Sequence, residues 1–203
     1  MNETLDEDAR YRAKMAKRKA LQDAAVASRS IEKGLLIVHT GSGKGKSTAG
    51  FGLLMRALGH GWPCGVVQFI KGTWATGERA AVARFSDLVA WHVMGEGFTW
   101  ETQDRARDIR AAQAGWARAR ELMEDPKIRL LLLDELNIAL RYGYLPLDAV
   151  VAALRARRAD LNIDVTGRNA RPELIEAADL VTEMRLVKHH YDAGVKAQAG
   201  IEF

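Results

Sequence analysis

The stretch Leu35-Leu36-Ile37-Val38-His39-Thr40-Gly41-Ser42-Gly43-Lys44-Gly45-Lys46-Ser47-Thr48 decides the reading of this chain. An apolar run of strand length meets a glycine-rich turn, and a helical stretch, Ser47 to Leu58, follows at once. Glycines let the backbone curl so that successive N–H groups point inward as an anion nest. The helix behind adds its unpaired N–H groups and the positive end of its dipole at the same spot. Strand, turn and helix in that order define a phosphate-binding loop made of Thr40, Gly41, Ser42, Gly43, Lys44, Gly45, Lys46, Ser47 and Thr48. Lys46 brings a mobile cation to the phosphates, and the Ser47 hydroxyl is a ligand for Mg²⁺ (or Mn²⁺). The usual pattern opens on glycine, where this chain has Thr40.

Outward from the loop, short apolar runs alternate with helical stretches. The runs are Gly65 to Ile70, Leu88 to Val93 and Leu130 to Leu133, with weaker candidates at Leu161 to Val165 and Leu180 to Met184. Between them lie helical stretches at Glu78–Phe85, Glu101–Met123, Pro146–Arg157 and Arg171–Ala177. Strands buried on both faces read as continuous apolar runs, and alternation with helices implies parallel pairing through crossovers. The expected fold is α/β: a three-layer, P-loop NTPase-like (RecA-like) domain around a mostly parallel central sheet. Residues 4 to 28 carry no Gly or Pro and are rich in Ala, Lys, Arg, Leu and Glu, which reads as a helix. The expected division is a basic helical N-terminal arm, 1–33, and a catalytic domain with a C-terminal extension, 34–203.

Composition excludes several classes. Apolar residues at 48% and charged residues at 28% of 203 are those of a globular domain. No apolar run approaches the roughly 20 residues that cross a bilayer, and the acidic start is no signal peptide. Cys64 is the only cysteine, so an internal disulfide and a thiolate-only metal site are excluded. The expected location is cytoplasmic, away from membranes. Arg10, Arg12, Lys14, Lys17, Arg18 and Lys19 form a basic run without acids. It reads as a solvated helix face or an anion clamp, and nucleic acid is not the expected partner.

A second motif closes the four-leucine run. Asp134-Glu135 sits where P-loop proteins hold Mg²⁺ with a carboxylate at a strand tip; a helix N-cap is the plain alternative. The candidate metal ligands are therefore Ser47, Asp134 and Glu135. The adjacent His189 and His190 do not share a face and read as tail-ordering residues. Arg168 and Lys188 fit phosphate contact and surface charge equally well.

Several segments together resemble one family, the P-loop corrinoid adenosyltransferases of cobalamin synthesis. They are 40–48, Val66-Val67-Gln68-Phe69-Ile70-Lys71-Gly72, Gly77-Glu78, Gly97-Phe98-Thr99-Trp100-Glu101-Thr102 and Leu133-Asp134-Glu135-Leu136-Asn137. Thr166-Gly167-Arg168, Val187-Lys188-His189-His190, Gly194-Val195-Lys196-Ala197-Gln198 and Gly200-Ile201-Glu202 complete them. The resemblance runs from about Lys33 to the end and includes Thr40. The phosphate loop and Asp134-Glu135 alone leave open another P-loop small-molecule kinase or ATPase, or a RecA-like nucleic-acid ATPase; the resemblance implies attack of a Co(I) corrinoid on the 5′-carbon of ATP, with triphosphate released and the nucleotide reversed in the cradle. It implies Lys46, Phe98, Trp100 and Glu135 as catalytic residues, with Glu135 joining Asp134 at the metal. Read alone, Phe98 and Trp100 are an aromatic anchor; the resemblance makes them an apolar wedge that displaces the lower axial base of cobalt. It further implies a homodimer, a reduced corrinoid supplied by an electron donor such as a flavoprotein, and an N-terminal arm that acts as a lid.

Overall fold

The structure is a computed structural model that describes residues 2–70, 76–94 and 104–202. Contacts divide the chain into two compact units, Met1–Lys33 and Gly34–Phe203. The first holds one helix, α1 (Asn2–Ala27), of 26 residues. Pairs at i,i+4, Asp6 with Arg10 and Lys19 with Asp23, lie along it and add a few tenths of a kcal/mol each.

The second unit is an α/β sandwich. Its strands are β1 (Leu36–Thr40), β2 (Cys64–Gln68), β3 (Val89–Val93), β4 (Leu130–Asp134), β5 (Asn162–Thr166) and β6 (Leu180–Glu183). They pair in the order β3-β2-β4-β5-β1-β6, and every pairing is parallel. The helices are α2 (Lys46–Gly59), α3 (Gly77–Val82), α4 (Arg105–Glu124), α5 (Leu136–Arg141), α6 (Leu147–Arg155) and α7 (Pro172–Ala177). The α/β, three-layer P-loop expectation is met, and all six strand positions read from apolar runs hold strands. The expected helix from Glu101 is described from its Asp104 cap onward, where Asp104 Oδ1 accepts from Arg107 N at 3.0 Å. The short α5 had no separate expectation.

Side-chain alternation sorts the sheet into two faces. Val66, Leu130 and Leu132 join Phe51, Leu54, Ala57 and Leu58 of α2 in one buried cluster. Leu36, Val38, Val67, Leu131, Leu133, Ile163 and Val165 face the other way, against α4, α5, α6 and α7. Strands β2 and β4 are thus apolar on both sides along most of their length, which is why they read as unbroken runs; β5 turns Asn162, Asp164 and Thr166 toward α2 and gives a fainter run. Arg157 ties the N-terminal edge together, donating to Gly34 O and Asp179 Oδ2, each at 2.8 Å. Asp179 Oδ2 in turn accepts from Leu36 N.

The helix α2 lies close enough to the sheet that Gly50 has no room for a side chain. A Cβ there would stand 2.8 Å from Leu132 Cδ1, 3.0 Å from Thr166 Cγ2 and 3.2 Å from Asp164 Oδ2. Gly50→Val should therefore destabilise the domain by about 1–3 kcal/mol through overpacking. Urea unfolding monitored by tryptophan fluorescence measures this, and an unchanged midpoint would show that α2 has slack.

Candidate active site

The loop between β1 and α2 opens at the C-terminal edge of the sheet, where open α/β sheets bind ligands. Its glycines are dictated by what lies beneath. A Cβ on Gly41, whose φ is +100°, would meet Met184 O at 2.4 Å, and one on Gly43 would meet Arg185 C at 2.7 Å. Gly43 N donates to Met184 O at 2.7 Å, so the segment leaving β6 is a backbone brace for the loop. Thr40, in the place of the usual first glycine, accepts from Ala170 N at 2.9 Å. Its hydroxyl fastens the turn after β5 beside the loop, which a glycine could not do.

The first turn of α2 has no side-chain cap at Gly45. Its leading N–H groups are left for an anion. Lys46 is buried and its Nζ donates to Gly43 O at 2.5 Å, folded over the loop. Burial, followed by the Arg168 charge and then Lys44, lowers the Lys46 pKa, while Glu135 opposes them. The charges of Arg168 and Lys44 thus both act on Lys46, and Arg168 belongs to the cradle's field. Ser42, Lys44 and Thr48 are exposed.

Asp134 has 0% exposure. Its Oδ1 accepts from Ser47 Oγ at 2.9 Å and Thr166 Oγ1 at 2.8 Å, and its Oδ2 accepts from Gln68 Nε2 at 3.0 Å. Gln68 Oε1 accepts from Trp91 Nε1 at 3.2 Å, which fixes the amide orientation. Thr166 Oγ1 also accepts from Glu135 N at 3.0 Å. Ser47 and Asp134 therefore stand together, as paired oxygen donors. Glu135 takes a left-handed backbone, φ 65°, at the start of α5. A Cβ on Gly167 would lie 3.1 Å from Glu135 Oε2, so this carboxylate is packed beside the turn after β5. Phe98 and Trp100 lie outside the described residues. Gln68, Thr166 and Trp91 were not singled out from sequence for this role. The available signal was a lone glutamine ending an apolar strand.

Oxygen donors of this kind suit a hard divalent cation. Among the described residues no group of three or more His, Cys, Asp or Glu is placed to hold a metal ion. The Ser47–Asp134 pair fits an ion that takes the rest of its shell from phosphate and water, as Mg²⁺ does.

A glycine loop at a sheet edge, a helix with an open N-terminus and a serine hydrogen-bonded to a buried aspartate define a P-loop nucleotide-binding enzyme. Residues 32–203 match the family model described as "ATP:corrinoid adenosyltransferase BtuR/CobO/CobP", and residues 1–26 match "Cob(I)alamin adenosyltransferase N terminal". The chain belongs to the ATP:corrinoid adenosyltransferase family and is a transferase. It is 57% identical over 203 residues to "Corrinoid adenosyltransferase" of Pseudomonas aeruginosa, covering 100% of both chains. It is 53% identical over 199 residues to "Corrinoid adenosyltransferase" of Sinorhizobium sp, covering 97% of this chain and 93% of the relative. It is 47% identical over 196 residues to "Corrinoid adenosyltransferase CobA" of Salmonella typhimurium, covering 97% and 99%. No helix among the described residues is long and apolar enough to cross a membrane.

Beneath α2, His39 Nε2 stands 3.5 Å from Asp164 Oδ1, and neither side chain makes a hydrogen bond among the described residues. Burial, and after it the Asp134 charge, pushes the Asp164 carboxyl up to about 7; burial lowers His39. The folded state then keeps a proton on Asp164 that the unfolded chain releases near pH 4, so this contribution to stability falls as pH rises from about 4 to about 7. Neutral His39 has the opposite sign, losing stability as pH drops below about 6.5. Asp164→Asn removes the first effect. Its unfolding free energy relative to wild type should rise by on the order of 4 kcal/mol between pH 4 and 7.5; urea unfolding at both pH values checks this.

Proposed function

We infer that the 34–203 unit binds ATP with its triphosphate in the 40–48 loop and transfers the 5′-deoxyadenosyl group to the Co(I) of a corrinoid. The carrying observation is the convergence of Lys44, Lys46 and Arg168 on a glycine loop beside Ser47–Asp134, in a chain of this family. The Co(I) electron pair forms the cobalt–carbon bond at C5′, the C5′–O bond breaks, and triphosphate leaves with that bond's electrons. The leaving group departs easily only where its charge is neutralised. Backbone N–H groups, Lys46 and Arg168 supply that neutralisation, with the nucleotide reversed so that carbon, not the γ-phosphorus, meets the acceptor. Ser47, Asp134 and Glu135 would hold Mg²⁺ or Mn²⁺, which supplies further charge neutralisation when bound. No water needs activating, so Glu135 has no base to be.

Phe98 and Trp100 form the apolar wedge beneath the corrin. Removing the lower axial ligand makes Co(II) easier to reduce, since axial ligation tunes metal potential. The reading includes a cytoplasmic homodimer, an electron donor such as a flavoprotein, and an N-terminal arm, 1–33, that acts as a lid. The family resemblance is its support for these.

Incubation with ATP, Mg²⁺ and chemically reduced cobalamin should release triphosphate in step with adenosylcobalamin; ADP as the product would overturn the reading. Lys46→Ala should lower kcat/KM at least about 100-fold, measured in the same assay. Phe98→Ala with Trp100→Ala should leave ATP affinity nearly intact and abolish the four-coordinate Co(II) spectrum. An unchanged spectrum would remove the wedge.

A further inference from the structure

The C-terminal tail returns to the phosphate loop. After the 3-10 turn His190–Ala193 the chain continues to Glu202, whose carboxylate forms a short ion pair with Lys44 Nζ, 158 positions away. His190 Nε2 stands 3.4 Å from the other oxygen, Glu202 Oε1. The Glu202 side chain is 14% exposed against 56% for Lys44, so the tail partly covers the glutamate while the lysine remains reachable. The Lys44 hydrogen bond, and with it the charges of Lys44 and the two neighbouring histidines, lowers the Glu202 pKa. Local hydrogen bonds shape the end of the tail: Glu202 N and Ile201 N both donate to Gln198 O, at 2.9 and 3.1 Å.

We propose that Glu202 is an internal competitor for the polyphosphate cradle, holding Lys44 in the empty site and speeding release of triphosphate after transfer. This rests on the reading of the 40–48 loop as a polyphosphate cradle. The cations that steady a departing triphosphate also retain it once free, and freed triphosphate carries more negative charge than the esterified chain it came from. A product held that way would limit turnover. A carboxylate fixed at the loop by its own chain competes at high effective concentration, and no diffusing anion need be present. Glu202 acts through Lys44 and is a positioning residue, not one that touches the reacting atoms. Its withdrawal on substrate binding leaves His190 as a second, weaker partner for the displaced carboxylate.

The test is calorimetric titration of the full-length protein with Mg²⁺ and inorganic tripolyphosphate, comparing wild type, Glu202→Gln, Lys44→Met and the double variant. Exposed ion pairs are worth little, so Glu202→Gln should bind tripolyphosphate only about three- to fivefold more tightly. That gain should vanish in the Lys44→Met background and shrink in high salt. In turnover, Glu202→Gln should lower kcat and raise the potency of added tripolyphosphate as an inhibitor, with the single-turnover rate kept. Glu202→Asp, with a shorter carboxylate, should fall between. Equal or weaker binding by Glu202→Gln, or a gain that persists without Lys44, overturns the proposal. Failure of wild type to bind tripolyphosphate at all would instead remove the cradle reading.

Discussion

The Asp134 carboxylate lies wholly out of water, and burying an unpaired charge of that size would be prohibitive. Ser47 from α2, Thr166 from β5 and Gln68 from β2 all donate to it. The parallel register makes this possible, because Gln68 pairs directly with Asp134 across β2 and β4. Any slip of one residue would turn one of these side chains to the opposite face. The order β2-β4-β5 and the placement of α2 over it are thus locked to a single polar knot. The same knot presents the Ser47 hydroxyl at the phosphate loop. Fold specificity and site geometry are one constraint here, expressed twice.

Electrostatics in the loop are arranged in the opposite sense. Lys46 folds onto Gly43 O, Lys44 is held by Glu202, and Arg168 adds its field from the turn after β5. The charges of Arg168 and Lys44 both disfavour the charged form of Lys46, and a polyanion in the loop would relieve that repulsion. Preorganisation of this kind lets charge be stabilised as it develops on a leaving group, with no reorientation at that moment.

Much of this was legible in the sequence. Apolar runs located the six strands, and the glycine turn with its lysines located the cradle. The faint runs were faint for a reason. The β6 residues are exposed along their whole length because the strand lies at the sheet edge and pairs only with β1, so neither a buried run nor a clean alternation marks them. Strand order was not legible, since insertion of β5 between β1 and β4 depends on contacts far apart in the chain. Gln68 and Thr166 were visible as residues yet silent as partners of Asp134, because hydrogen-bond partners follow from register. The Lys44–Glu202 pair joins an exposed lysine and a half-buried glutamate at opposite ends of the domain's sequence, and no local pattern announces it.

The edge position of β6 bears directly on the loop. Met184 and Arg185, which follow it, form the floor on which Gly41 and Gly43 rest, and Met184 O is the acceptor for Gly43 N. Edge strands with few buried contacts open more readily than central ones. The loop is therefore fixed on one side by the most strongly buried part of the sheet, through β1 and Ser47–Asp134. On the other side it rests on the least buried strand. Under the proposed transfer, a site that grips a triphosphate and then lets it go gains from that asymmetry: the wall at Ser47–Asp134 is anchored in the buried sheet, while the floor at Met184 and Arg185 follows an exposed edge strand.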